Sequence, residues 1–245
     1  MNKQKLNKKI IVPAAIFCAA AVIIILIGAV CSGKTGVVCY ISGEPVYEEE
    51  VAIAADRVEL TAEQEYAEAS GQKLGDIDYS RLADGKNGYE YIAEEVEAEL
   101  IRIKTIQIEA RQHGLCDEIS YPELEKARAK ENEDRANTKE EGGVVYGVVS
   151  FDDEEYYRYL IDNLDLQNKR YLIQNDVLTA EEEEVKAAYD RDPSAFDNQE
   201  YDSVSMFVKN AVLSEKYEEY MTELEKKAVV KDSENIAEFL EEEKN

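Results

Sequence analysis

The side chains of this sequence best suited to chemistry at neutral pH are its one histidine and two of its four cysteines, Cys39 and Cys116. His113 is the only histidine, so any serine or cysteine hydrolase arrangement would have to use it as the base. No nucleophile motif accompanies His113, which lies at a predicted helix C-terminus, where the helix dipole favours it. His113, Cys39 and Cys116 do not have the spacing of a zinc signature. These residues therefore predict neither a catalytic centre nor a metal site.

The stretch that begins at Asp190 has the start of a calcium-binding loop but lacks two of its required residues. Ala195 occupies the position of the obligatory glycine, and Tyr201 that of the bidentate glutamate. Gly142 and Gly143 form an isolated pair and not a phosphate-binding loop. We therefore expect no cofactor, no metal and no enzyme activity.

The apolar segment at residues 10–31 predicts on which side of a membrane the rest of the chain lies. Its 22 residues carry no charge and would form a helix about 30 Å long, which matches a bilayer core. Four lysines precede it, so we expect a cytoplasmic tail at residues 1–9 and an exported chain after a linker at 32–36. We interpret 10–31 as a transmembrane signal anchor, because the apolar run exceeds that of a cleaved signal peptide. Cleavage is one alternative, and a lipoprotein signal with lipidation of Cys31 is another, although Val30 fits that signal poorly.

The strong negative charge limits the partners of this protein. The chain has 28 Lys and Arg against 54 Asp and Glu, a net charge of −26, which becomes −30 from residue 10 onward. This sign opposes binding to nucleic acid and to an anionic membrane surface, because both need positive charge on the protein. Either the acids form a solvated surface, or they attract cations or a basic client. Cys39 and Cys116 would both be exported, where they either form a disulfide or remain free thiols.

Hydrophobic periodicity predicts a mainly α fold for residues 37–232. Two short β-rich segments, at 37–41 and 229–230, lie near the two ends of this region, and we expect them to pair and close the domain. Residues 200–208 are expected to be extended, and residues 233–245 to form an acidic C-terminal helix or tail. The predicted helices span about residues 46–70, 89–113, 121–134, 153–172, 179–190, 213–227 and 236–242.

Four short passages carry a resemblance to a known family. VVCYISGEPVYEEE at 37–50 fits a strand, a turn and the acidic start of a helix, and IQIEARQHGL at 106–115 fits the end of a long helix. LTAEEEEVKAAYD at 178–190 fits a further helix, and residues 217–230 fit a helix followed by a strand. In this order and spacing the passages resemble the non-catalytic, chaperone part of the SurA/PrsA-type extracytoplasmic foldases. The resemblance covers about residues 37–232 and implies a SurA N-terminal-like helical domain.

The sequence departs from that family at one place. A parvulin-type prolyl isomerase domain often lies between the last two passages, whereas here only residues 190–211 lie there and nothing in them resembles a parvulin core. The family's isomerase residues have no counterpart in this chain. The resemblance therefore implies a chaperone without isomerase activity.

Chaperones of this kind bind unfolded segments in a cradle lined by apolar and aromatic side chains, which makes Tyr156, Tyr157 and Tyr159 the candidate client-binding residues. Successive helical residues point about 100° apart, so at least one of the three is exposed or at an interface. Surface tyrosines without a role are the alternative. The resemblance implies a holdase for unfolded or exported polypeptides on the outer face of a bacterial cell membrane, and we favour a Gram-positive source. The rival hypothesis is a structural or regulatory module with one dedicated partner in a cell-envelope complex.

Overall fold

The part of the chain that the computed structural model describes, residues 36–244, contains a small antiparallel sheet and seven α-helices. The prediction of a mainly α fold is confirmed. The strands are β1 (Val37–Ile41), β2 (Glu44–Tyr47) and β3 (Val230–Lys231). The helices are α1 (Glu48–Ser70), α2 (Gly88–Gln112), α3 (Tyr121–Glu140), α4 (Asp153–Gln174), α5 (Glu182–Arg191), α6 (Tyr201–Glu225) and α7 (Glu234–Lys244).

A tight hairpin joins β1 to β2. Ser42 and Gly43 connect the strands, and both have positive φ, which matches the twist of a two-residue hairpin turn. Val46, which we expected to open the first helix, lies in β2 opposite Cys39 and is fully buried. The prediction for Val46 is wrong because its burial follows the alternation of a strand, and the first helix begins only at Glu48.

Strand β3 returns from the far end of the chain to β1. Tyr40 lies opposite Lys231 and Ile41 opposite Val230, and the sheet order is β2–β1–β3. The expected pairing of the two ends is confirmed. The sheet has three strands and not the predicted two, because the hairpin places β2 on the other edge of β1.

Helix α2 contributes to both of the larger hydrophobic cores. Its N-terminal part packs Val96 and Leu100 with the sheet, α1 and α7. Its C-terminal part packs Ile103 and Ile106 with α4 and α6. Helix α2 can contribute to both cores because its apolar face continues along its whole length, and the helix is long enough to reach from one core to the other.

Helices α5 and α6 enclose a third, smaller core, in which Val185 packs with Val204 and Val208. The prediction that residues 200–208 are extended is wrong, because they lie in α6 from Tyr201 onward. Val204, Met206 and Val208 fit the period of a strand, but Val204 and Val208 also fit a helical i, i+4 stripe. Met206 is 67% exposed, so the helical stripe is the one that packs.

The C-terminal segment is part of the same compact unit as the rest of the described chain. Ile236 and Leu240 of α7 are buried in the core that contains the sheet and α2. Asn235 Nδ2 donates a hydrogen bond to Val38 O at 2.9 Å. The predicted acidic helix at this end therefore completes a core.

The predictions for residues 1–35, which include the signal anchor at 10–31 and lipidation at Cys31, lie outside the described residues. Within residues 36–244, no helix is long and apolar enough to cross a membrane.

Candidate functional site

Helix α4 directs the three candidate tyrosines to different surroundings. Tyr156 is 8% exposed, Tyr157 is 1% exposed and Tyr159 is 45% exposed. This distribution follows from the 100° step between successive helical residues. The spacing required at least one of the three to be exposed, and that residue is Tyr159. Tyr157 is in the core and does not line a surface in this structure.

Tyr157 takes part in a buried polar network at the junction of α1, α2 and α4. Its hydroxyl donates to Glu50 Oε1 at 2.6 Å, and Lys104 Nζ lies 2.8 and 3.0 Å from the two Glu50 carboxylate oxygens. The side chains of Glu50 and Lys104 are both fully buried. Glu50 also accepts a hydrogen bond from Tyr47 N at 3.1 Å, as the N3 residue of a capping box. The charge of Lys104 and these donors compensate the buried carboxylate.

Burial raises the pKa of Tyr157 well above its ordinary value, and the adjacent Glu50 charge raises it further. The phenol therefore remains protonated and acts as a hydrogen-bond donor. Gln107 is also fully buried and lies beside this hydroxyl. Neither polar atom of its side-chain amide forms a hydrogen bond of normal geometry with the described residues. The network is structural, since each of its side chains is enclosed by the core.

Tyr156 and Tyr159 form an aromatic cluster with Phe151, the residue that precedes the cap of α4. The Phe151 ring stacks on Tyr159 with the centroids 5.0 Å apart and meets Tyr156 edge-on at 5.6 Å. Phe151 and Tyr156 are buried, so Tyr159 is the part of the cluster that faces solvent. This cluster lies where the loop from α3 meets α4.

The loop between α3 and α4 carries exposed apolar side chains that lead up to this cluster. Val144 is 71% exposed and Tyr146 is 85% exposed, and Val148 and Val149 also face solvent. We refer to Val144, Tyr146, Val148, Val149 and Tyr159 as the apolar loop surface. Singly exposed apolar residues are ordinary, but several on one short loop are a candidate binding surface.

Polar side chains of α3 hold the backbone of this loop. Arg135 Nη1 donates to the carbonyl oxygens of Tyr146 and Val148 at 2.9 and 2.8 Å, and its guanidinium lies 4.6 Å from the centre of the Phe151 ring. Asn132 bonds both ways to the Phe151 backbone, donating to O at 2.9 Å and accepting from N at 2.8 Å. Because α3 binds the loop through its backbone, the apolar side chains of the loop are left facing outward.

A shallow groove of about 260 Å³ lies between α3 and this loop. Asp134, Arg135 and Thr138 form one wall, and Val144 and Tyr146 are on the loop side.

No motif or periodicity in the sequence indicated that the apolar loop surface could bind a partner. Residues 144–149 form a small apolar run, VVYGVV. The signal available in the sequence was the position of this run: four valines and a tyrosine stand between the polar end of α3 and the acidic start of α4, without a helical stripe.

His113 lies between α2 and α4 as the residue that ends α2. Its ring stacks on Tyr171 with centroids 4.2 Å apart, its Nδ1 lies 3.3 Å from Asn168 Oδ1, and its Nε2 lies 3.6 Å from Glu109. Asn168 is in turn fully buried and donates to Ile106 O at 2.9 Å. These contacts give His113 a role in packing two helices.

The two cysteines of the described chain are free thiols, and Cys39 is buried. Burial raises the pKa of Cys39 to about 12, and the charge of Glu97 adds to this shift. The pKa of Cys116 is raised by burial as well. Neither thiol is therefore activated as a nucleophile. Among residues 36–244, no group of three or more His, Cys, Asp or Glu is arranged to hold a metal ion.

In comparisons with known proteins, no family model, no curated protein and no solved structure matched this chain.

Proposed function

We propose that this protein is a membrane-tethered, extracytoplasmic holdase with a SurA N-terminal-like fold and no prolyl isomerase activity. Its clients are unfolded or exported polypeptides, which it contacts through the apolar loop surface. The observation that carries this proposal is the group of exposed apolar side chains on a loop whose backbone is held by Arg135 and Asn132.

The fixed loop backbone favours binding for a physical reason. Ordering a flexible loop when a partner binds costs conformational entropy, so a loop that is already held loses less on binding. Valine and tyrosine side chains contribute mainly through apolar area removed from water, which does not require a particular client sequence. Such a surface suits a protein that binds many unrelated unfolded chains.

Two further features support the holdase. The pairing of β1 with β3 agrees with the closing strand that the family resemblance implies. Residues 10–31, with the lysines before them, fit a signal anchor that would place the folded unit on the outer side of the membrane. A holdase with this tether would meet exported chains as they emerge.

The experiment is an aggregation assay with the full chain in phosphatidylcholine nanodiscs. Several unrelated unfolded proteins are diluted from denaturant, and light scattering is followed with near-stoichiometric protein or with empty nanodiscs. We expect suppression for every client. The variant Val144→Ser with Tyr146→Ser and Val149→Ser is expected to lose most of it, because these side chains supply the apolar contact.

The matched control changes exposed apolar side chains on another part of the protein. Met206 and Phe207 on α6 are 67% and 68% exposed, so Met206→Ser with Phe207→Ser removes comparable apolar surface elsewhere. We expect this control to retain suppression. Absence of suppression for all clients would contradict the holdase. Capture of one stoichiometric envelope partner in that case would favour the structural or regulatory module.

A further inference from the structure

Acidic side chains stand at both ends of the apolar loop surface. Glu140 and Glu141 end α3 and lead into the loop, and Asp152 and Glu155 lie at the start of α4. All four are exposed. The apolar side chains are therefore bracketed along the chain by exposed carboxylates.

The region of the chain that contains these carboxylates has an excess of negative charge. Residues 121–160 contain 11 Asp and Glu against six Lys and Arg. Five of the six bases already form ion pairs within this region, and none of the pairs includes the four bracketing acids. The pairs are Lys126 with Glu123, Arg128 with Glu125 and Asp153, Lys130 with Asp134, Arg135 with Glu131, and Arg158 with Glu154.

We infer that the apolar loop surface selects polypeptide segments in which apolar residues are flanked by lysine or arginine. This inference rests on the proposed holdase function and names its client class. The apolar part of such a segment covers the valines and tyrosines, and its basic flanks reach the four bracketing carboxylates. Acidic flanks meet like charge, which lowers affinity and excludes those segments. An anionic lipid surface is repelled for the same reason.

The test uses fluorescent peptides that share one apolar core and differ only in their flanks. The flanks are lysines, serines or glutamates, and binding to the full chain in phosphatidylcholine nanodiscs is measured by fluorescence polarisation. We expect the lysine-flanked peptide to bind about tenfold more tightly than the serine-flanked one, and the glutamate-flanked peptide to bind most weakly. Raising the salt concentration should reduce the difference between peptides, because exposed charges are screened.

Two glutamine variants assign the preference to this surface. Glu140→Gln with Glu141→Gln is expected to reduce the lysine preference by about threefold. Glu182→Gln with Glu183→Gln removes two exposed acids from α5, and we expect it to leave the preference unchanged.

The outcomes separate this inference from the proposed function. Equal affinity for the three peptides would overturn the client class while the holdase stands. Equal loss of preference in both variants would also overturn it, because the net charge of the whole protein would then be the cause. If none of the peptides binds and no client is protected, the holdase itself fails.

Discussion

At the residue scale, the buried ion pair between Glu50 and Lys104 connects two helices through the core. Glu50 begins α1, Lys104 lies in α2, and Tyr157 of α4 donates to the same carboxylate. Each charge is out of contact with water, so each depends on the other. One carboxylate therefore fixes how three helices meet.

Lys104→Met should destabilise the fold by about 3–5 kcal/mol, because it leaves the Glu50 carboxylate buried without a compensating charge. Urea unfolding followed by circular dichroism measures the change. Adding Glu50→Gln to this variant should recover part of the loss, since no buried charge then remains. Lys226→Met, which breaks the exposed pair with Glu223, serves as the control and should change stability little. A similar loss in both lysine variants would contradict the role given to the buried pair.

Cys39 makes stability depend on pH in the alkaline range. Its pKa is raised from 9.0 to about 12 in the folded protein, so the folded state holds the thiol proton more tightly than the unfolded state. The stabilisation is complete below pH 9 and is lost as the pH rises toward 12. Buried tyrosines with raised pKa values add to this loss above pH 10, so the thiol is best observed below that value.

Between pH 9 and 10, the stability of the wild-type protein should fall by about 1 kcal/mol more than that of Cys39→Ala. Denaturant titrations at closely spaced pH values measure both slopes. Cys116→Ala is the control that assigns the effect to Cys39, because this variant retains the buried Cys39 thiol in the sheet. Parallel curves for the wild type and Cys39→Ala would exclude the proposed proton linkage.

At the element scale, α3 acts as the support of the loop that follows it. Only Tyr121 and Leu124 of α3 are buried, so the helix contributes little to the cores. Its remaining contacts include the hydrogen bonds from Arg135 and Asn132 to the loop backbone. Beyond its buried contacts with α4, α3 therefore binds the backbone of the loop.

Asn132→Ala should release the loop without unfolding the protein. The change removes the hydrogen bond that the Phe151 N–H donates and one of the two that its carbonyl oxygen accepts, the other coming from Arg128 Nη1, at a local cost of about 1–3 kcal/mol. Hydrogen exchange by mass spectrometry should then report faster exchange in residues 144–151. Asn137→Ala, an exposed asparagine of the same helix, is the control and should leave exchange in the loop as it is.

At the scale of the whole folded unit, the two ends of the described chain close the structure together. Strand β1 pairs with β3, and α7 packs against β1 and α2. The residues that join them are separated by almost the full length of the chain, so this closure requires most of the fold to be in place. The acidic C-terminal helix is therefore needed for the stability of the N-terminal strand.

Ile236→Ala should destabilise the folded unit by about 2–5 kcal/mol, because the fully buried side chain fills the core formed by β1, α2 and α7. Hydrogen exchange at Val38 and Cys39 should increase together with the loss of global stability measured in urea. Glu242→Ala in the exposed last turn of α7 is the control, and we expect near wild-type behaviour. Unchanged exchange in β1 after Ile236→Ala would contradict the coupling of the two ends.

The amino-acid sequence alone determined the helical class, the position of most helices and the pairing of the terminal strands. These features depend on local periodicity, on capping residues and on short β-rich segments, all of which are readable within a few residues. The spacing of Tyr156, Tyr157 and Tyr159 also required one of them to leave the core. It did not specify which one, because that depends on the direction in which α4 packs.

Only the tertiary structure decided what each face of these elements contacts. Residues 200–208 fit two periodicities, and packing against α5 selected the helix, whereas pairing with β1 placed Val46 in a strand. The pairing of Glu50 with Lys104 joins residues 54 positions apart, and no local pattern indicates it. The apolar loop surface is exposed because α3 binds the backbone of the loop and leaves its valines and Tyr146 in solvent. Long-range contacts of this kind are invisible to periodicity, which reports only the neighbours along one element.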